Sequence, residues 1–265
     1  MRAAFITGGS SGIGFAAAMQ LAVKGHDLAL FARDASRLLA ARDALLQAAP
    51  NINVETYAVD VANEVALTEA LSDAVLELGA PEMAIASAGI AQPGLFHAQS
   101  ADLHRRHMDV NYFGTLTFVQ ALSKPMQDAG GGHIGLISSG AAFFGIYGYG
   151  AYAPSKFALR GLAEILHLEL AAANITTTVI YPPDTDTPQL TEEKRTKPMA
   201  TQKITEGGGL WQPEDIAARL IAGMKAGHAA VAPGFQMAAL NRLGSLIAPL
   251  LRWHQKRIIS QHGNQ

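Results

Sequence analysis

The chain has 265 residues, 49% of them hydrophobic and only 16% charged, where average globular usage is roughly 25% charged. Such a composition buries a large core and excludes a disordered or fibrous chain. Twenty basic against twenty-two acidic residues leave a formal charge of −2, which gives nucleic acid no global field, and zero cysteines exclude disulfides, thiolate zinc sites and a cysteine nucleophile. In chain order, Ala3–Thr7 reads as a strand, then a glycine turn, then a helix over Ile13–Lys24. A strand at Asp27–Ala32, a helix near Ala35–Ala48 and a strand at Asn53–Val59 follow. The rhythm repeats through a helix at Glu64–Leu78, a strand at Met83–Ser87, a helical stretch over Leu103–Met126 and a strand at His133–Ser138. A helix at Pro154–Ala173 leads to a strand at Ile175–Tyr181.

Strands alternating with long helices predict βαβ units. The expected fold is α/β: a single Rossmann-type, doubly wound parallel sheet with helices on both faces and a C-terminal lid and tail. Residues 1–235 form the expected nucleotide-binding and catalytic domain, with a lid at about 183–209, and 236–265 form a basic, apolar tail. The opening residues run straight into the first strand, leaving no room for a signal peptide. No apolar run reaches the roughly 20 residues needed to span a bilayer. A cytoplasmic chain is expected.

The first βα turn reads Thr7-Gly8-Gly9-Ser10-Ser11-Gly12-Ile13-Gly14. Gly8, Gly12 and Gly14 let the turn tighten and the backbone approach a pyrophosphate at a helix N-terminus. At the end of the second strand a carboxylate would suit NAD, but Ala32 stands there, followed by Arg33 and, one turn on, Arg37. A guanidinium suits a 2′-phosphate, so the charge argument favours NADP(H). Asp60 and Val61 belong beside the adenine, with a helix N-cap as the plainer role for Asp60.

Tyr152 and Lys156 lie four apart at a helix start and share a face. A nearby ammonium favours phenolate, so Lys156 is expected to lower the Tyr152 pKa and fit the phenol for proton transfer to a carbonyl oxygen. Ser138-Ser139 ends the preceding strand, and Asn111 sits on the helix before it.

These residues together resemble the short-chain dehydrogenase/reductases over about Ala3 to Pro188. The turn matches Thr-Gly-x-x-x-Gly-x-Gly, and Ser139 precedes Tyr152 by thirteen residues. The resemblance implies a catalytic set of Asn111, Ser139, Tyr152 and Lys156. Tyr152 is the implied proton donor, Ser139 orients the carbonyl, Lys156 also holds the nicotinamide ribose, and Asn111 supports a water leading from Lys156 to solvent. Thr187 is implied to fix the nicotinamide carboxamide. Implied cofactor contacts also run through Ser10, Ser11, Ile13, Ala88, Gly89, Pro182 and Thr185. Two departures stand out: Ala86-Ser87-Ala88-Gly89 replaces Asn-Asn-Ala-Gly, and Pro182-Pro183-Asp184-Thr185-Asp186-Thr187-Pro188 replaces a Pro-Gly start.

The second departure, with Thr191-Glu192-Glu193-Lys194 and Trp211-Gln212-Pro213-Glu214-Asp215, is similar to the 3-ketodihydrosphingosine reductases. That similarity implies NADPH-dependent reduction of the 3-keto group of a long-chain amino-ketone. The alternatives are another lipophilic ketone (steroid, retinoid or acyl) or a sensor that binds NADP without catalysis.

Asp184 or Asp186 is expected to meet the substrate ammonium or to cap turns, a metal pair being set aside for want of a third ligand. His104 and His107 are read as a solvated or subunit-facing helix rather than metal ligands. Phe143, Phe144, Tyr147 and Tyr149 suit either a pocket wall or core packing. Gly207-Gly208-Gly209 reads as a hinge or a loose loop. The tail has four basic residues (Arg242, Arg252, Lys256, Arg257) and no acid. It fits an interfacial segment on anionic lipid, peripheral on the cytoplasmic membrane face, or a helix packed on a partner subunit. A homodimer or homotetramer through Leu103–Gln127 and Pro154–Ala173 is implied by the resemblance.

Overall fold

Seven strands form one parallel sheet in the order β3-β2-β1-β4-β5-β6-β7 in the computed structural model, which describes residues 2–262. They are β1 (Ala3–Thr7), β2 (Asp27–Ala32), β3 (Val54–Ala58), β4 (Met83–Ala86), β5 (Gly132–Ile137), β6 (Ile175–Ile180) and β7 (Ala230–Val231). Strands buried on both faces read as continuous apolar runs, which is why β1 and β4 are apolar almost throughout and buried at every position. Successive side chains alternate: Ala3 and Phe5 enter one core layer, Ala4 and Ile6 the other.

Helices α1 (Gly12–Ala22) and α2 (Ala35–Ala48) cover one face together with α9 (Pro213–Lys225), whose Ile216, Ala217, Leu220 and Met224 are buried there. On the other face lie α3 (Glu64–Leu78), α5 (Gly114–Asp128) and α6 (Tyr152–Glu169), with α4 (Ala101–Met108) packed against α6. Asp34 caps α2 by accepting from the Ser36 and Arg37 amides, and Asn63 caps α3. The expected helix over Leu103–Met126 is two helices joined by a π-helical turn at Asp109–Phe113, and that turn carries Asn111.

The strand order changes direction between β1 and β4. A doubly wound sheet opens a crevice outside the strand ends at such a switch point. The segment after β6 arches over it with α7 (Pro188–Thr196) and α8 (Met199–Thr205), closed by a 3-10 turn at Glu206–Gly208. The final helix, α10 (Gly234–His262), runs through Pro249 without a break. Its Met237 and Leu240 join the main core, so the tail boundary expected at 236 falls within the first turn of a packed helix. Residues 263–265 of that tail lie outside the described residues. Gln255 pins the far half of α10, donating to the Gly145 carbonyl at 2.9 Å and accepting from the Tyr147 amide at 3.0 Å.

Candidate active site

The crevice is a cavity of about 660 Å³ at the C-terminal ends of the strands. Its lower wall is the glycine turn. Gly8 has φ +67°, and a side chain there would meet the Ala88 amide nitrogen at 2.8 Å. A Cβ on Gly14 would stand 2.4 Å from the Gly8 carbonyl oxygen, so the turn closes only without one. Ser11 caps α1 with no side-chain bond, which leaves the first-turn N–H groups facing the cavity without a capping acceptor. A backbone cradle with unsatisfied donors at a helix start fits a pyrophosphate.

Nearly every residue expected to touch a nucleotide lines this one cavity: Gly8, Ser10, Ser11, Gly12, Ile13, Arg33, Arg37, Asp60, Val61, Ala88, Gly89, Pro182, Thr185 and Thr187. Gly14 stands behind the wall, shaping the turn. Arg33 and Arg37 are exposed at the rim, and Arg37 leans on Asp34 at 3.4 Å. Asp60 is not the α3 cap, which is Asn63. Arg106 of α4 bonds Asp60 at 2.6 Å, and the Ala62 amide donates to it at 3.0 Å. Burial alone would raise the Asp60 carboxyl, but the Arg106 bond, the Ala62 amide and the nearby guanidinium charges hold it below the ordinary range.

The altered turn Ala86-Ser87-Ala88-Gly89 is anchored by Thr7, whose hydroxyl accepts from the Ser87 and Ala88 amides at 3.1 and 3.2 Å. Thr187 caps α7, accepting from Leu190 N at 3.3 Å and donating to the Thr185 carbonyl at 3.2 Å. It thereby ties the β6 end to the lid helix directly beside Gly12.

Ser139, Tyr152 and Lys156 converge on the same cavity. Pro154 is tolerated in the first turn of α6, where its missing N–H costs nothing, so the Tyr152/Lys156 face is continuous. The Lys156 Nζ lies 5.6 Å from the Tyr152 ring centroid and donates to the Ile137 carbonyl at 3.0 Å. Burial pushes the Lys156 ammonium down to about 8. Burial also pushes the Tyr152 phenol up, with the Glu193 charge adding to the rise and the Ser139 hydrogen bond opposing it. This differs from the depression expected from Lys156. The side chain is 7% exposed, and desolvation dominates over the neighbouring charges and the Ser139 bond.

Asn111 lies behind the cavity wall, fully buried. Its Oδ1 accepts from Ile90 N at 2.8 Å, and its Nδ2 donates to the Ile90 carbonyl at 3.0 Å and to Ser155 Oγ at 2.9 Å. It holds the segment after β4 against α6, one residue from Lys156.

One further expectation is corrected. His107 is neither solvated nor subunit-facing: it is fully buried, Nδ1 bonds the Leu103 carbonyl at 2.8 Å, and Nε2 accepts from the Gln92 amide at 3.1 Å. Its ring meets Tyr152 edge-on at 6.4 Å between centroids. The aromatic run splits: Phe144 and Tyr149 line the cavity, while Phe143 packs on Tyr181 at 4.5 Å. Of the two aspartates, Asp184 lines the cavity and pairs with Lys197 at 3.3 Å, whereas Asp186 is exposed.

One buried carboxylate in the cavity is given no role by sequence reasoning. Glu193 on α7 is 6% exposed and accepts from the Tyr149 hydroxyl at 2.9 Å and from Gln189 Nε2 at 3.2 Å. The Gln189/Glu193 spacing on an amphipathic lid helix is the only local signal for it.

Comparisons with known proteins agree with this fold. The family model described as short chain dehydrogenase matches residues 2–198. A protein named 3-dehydrosphinganine reductase from Danio rerio is 41% identical over 215 residues, covering 80% of this chain and 65% of its own length. A 3-ketodihydrosphingosine reductase from Bos taurus is 36% identical over 219 residues, covering 82% and 66%. A 3-dehydrosphinganine reductase from Arabidopsis thaliana is 36% identical over 238 residues, covering 89% and 72%. The chain therefore spans just under two thirds of the length of the first two. Among solved structures, levodione reductase superposes with a TM-score of 0.82 at 26% identity, over 90% of this chain and 98% of that one. An alcohol dehydrogenase from Thermococcus sibiricus complexed with 5-hydroxy-NADP gives 0.74 at 25% identity, over 85% and 91%.

Proposed function

This chain belongs to the short-chain dehydrogenase family, and we propose that it reduces the 3-keto group of 3-ketosphinganine to sphinganine with NADPH. The observation that carries the chemistry is the convergence of Ser139, Tyr152 and Lys156 on the cavity that begins at the glycine turn. The substrate reading draws support from the relatives named 3-dehydrosphinganine and 3-ketodihydrosphingosine reductase.

The cavity walls supply what a dinucleotide needs. Gly8, Ser10, Ser11, Gly12 and Ile13 would cradle its pyrophosphate, Asp60 and Val61 would flank its adenine, and Lys156 would hold its nicotinamide ribose. Ala88, Gly89, Pro182, Thr185 and Thr187 would line the nicotinamide end. Arg33, which has no carboxylate within ion-pair distance among the described residues, would take a 2′-phosphate and favour NADPH. When bound, NADPH supplies a hydride to the carbonyl carbon.

The protein's own part is orientation and the proton. Ser139 donates to the substrate carbonyl and aligns it with Tyr152. The phenol, held protonated by burial, donates its proton to the carbonyl oxygen as negative charge develops there. Lys156, fixed by Ile137, stabilises the resulting phenolate and returns a proton to it. Asn111 keeps α6 and the segment after β4 in register and is a positioning residue. The residue pattern of α10 supports peripheral contact with an anionic lipid surface, and the exposed Phe157, Ile165 and Leu168 of α6 support a homo-oligomer through that helix.

The test is oxidation of NADPH and of NADH by the purified protein with 3-ketosphinganine, a steroid ketone and an acyl ketone. NADPH-dependent turnover of the amino-ketone above the other two is expected. Reduction of a steroid or acyl ketone with none of the amino-ketone would replace the substrate assignment.

A further inference from the structure

The proton machinery leaves one buried charge unused. Glu193 is 6% exposed, lines the cavity, and among the described residues has no lysine, arginine or histidine nitrogen within ion-pair distance. A carboxylate so placed is costly unless a cation arrives. Its direct hydrogen-bond partners are neutral. The hydroxyl of Tyr149 and the amide of Gln189 are neutral donors that orient the two oxygens, each of which keeps a further acceptor position. Lys197 is committed to Asp184 at 3.3 Å. Glu193 thus feels Lys197 and Lys156 only through space, and no cation among the described residues bonds either of its oxygens.

Position narrows the ligand. Tyr149, which holds Glu193, has its ring centroid 5.2 Å from that of Tyr152. A ketone whose oxygen meets Tyr152 is therefore bound beside the tyrosine that holds Glu193, and one of its two orientations turns the group on its adjacent carbon toward that carboxylate. In an α-amino-ketone that group is an ammonium with three donors. We propose that the Glu193 carboxylate receives this ammonium and sets the selectivity of the cavity for ketones bearing an α-amino group, a proposal that rests on the amino-ketone reading above. Of the two aspartates expected for this role, Asp184 is occupied by Lys197 and Asp186 is exposed. Burial raises the Glu193 carboxyl, and a bound ammonium offsets that rise.

The experiment compares wild type and Glu193→Gln on 3-ketosphinganine, its N-acetyl derivative and an unsubstituted long-chain 3-ketone, with saturating NADPH. Wild type should favour the free amine over both neutral ketones by about tenfold or more in kcat/KM, as a charge-assisted hydrogen bond implies. Glu193→Gln should bring the ratios to within about threefold, chiefly through KM, with the NADPH KM unchanged. Should that variant fail to fold, Glu193→Asp replaces it, and a severalfold loss of selectivity is expected from the shortened arm. Unchanged selectivity in the folded variant, or equal wild-type use of amine and neutral ketones, would overturn the assignment of Glu193. Absence of any 3-ketosphinganine turnover by the wild type would instead overturn the functional reading beneath it.

Discussion

The Lys156 ammonium donates to the carbonyl of Ile137 at 3.0 Å, tying the first turn of α6 to the last residue of β5. The bond aims the side chain along the floor of the cavity toward Tyr152. A planar guanidinium has a different donor geometry and a permanent charge. Both Lys156→Arg and Lys156→Met should lower kcat by at least about tenfold while the protein stays folded. Steady-state kinetics with a melting curve checks this, and an arginine variant with wild-type kcat would contradict it.

The cofactor preference is expected to divide unequally between two arginines. Arg37 is already drawn to Asp34 at 3.4 Å, whereas Arg33 forms no ion pair among the described residues and acts on Asp60 only at longer range. Losing a charged hydrogen bond to phosphate costs about 1.5–3 kcal/mol. Arg33→Ala should therefore raise the NADPH KM about tenfold or more and leave the NADH KM unchanged, with a smaller effect from Arg37→Ala. Equal changes for both cofactors would exclude a 2′-phosphate contact.

Acid should destabilise the fold through His107. Burial lowers its pKa from the ordinary 6.5, against a smaller opposing contribution from the Leu103 carbonyl. As pH falls below 6.5, the unfolded chain takes up a proton that the folded chain refuses until lower pH. The unfolded state then binds more protons, and stability declines with falling pH by at most about 1.4 kcal/mol per pH unit for this one group. His107→Gln should flatten the dependence of melting temperature on pH between 6.5 and 5. An unchanged slope would remove His107 from the account.

Helix α10 presents Leu243, Leu246, Leu250 and Trp253 on one exposed face, beside Arg242, Arg252, Lys256 and Arg257. Among the described residues no helix is long and apolar enough to cross a membrane. The pattern suits a helix lying in the interface of an anionic bilayer. The protein should float with phosphatidylserine-containing vesicles and not with pure phosphatidylcholine, and Leu246→Glu with Trp253→Glu should abolish flotation. Loss of dimer rather than of flotation in that double variant would assign the face to a partner subunit.

The sheet and its turns were legible because their signals are local. Asp27–Ala32, Ala35–Ala48 and Glu64–Leu78 form as their apolar runs and caps indicate. The glycine turn declares itself by spacing, and the Tyr152/Lys156 pair by helical periodicity. What the sequence hid depends on distant chain. Asp60 looks like a cap until Arg106, 46 residues on, takes it. Glu193 looks like a solvated lid residue until Tyr149, 44 residues earlier, buries it. The π-helical turn at Asn111 has no local mark, and the two-residue β7 is too short for any periodicity.

The most direct measurement is product formation from 3-ketosphinganine and NADPH by wild type and Tyr152→Phe, with NADPH binding measured on both. Wild type should yield one sphinganine per NADPH oxidised. Tyr152→Phe should bind NADPH within about twofold of wild type and lose on the order of 10²–10⁴ in turnover, the usual contribution of a positioned acid. Sphinganine formed by the phenylalanine variant at the wild-type rate would contradict the account.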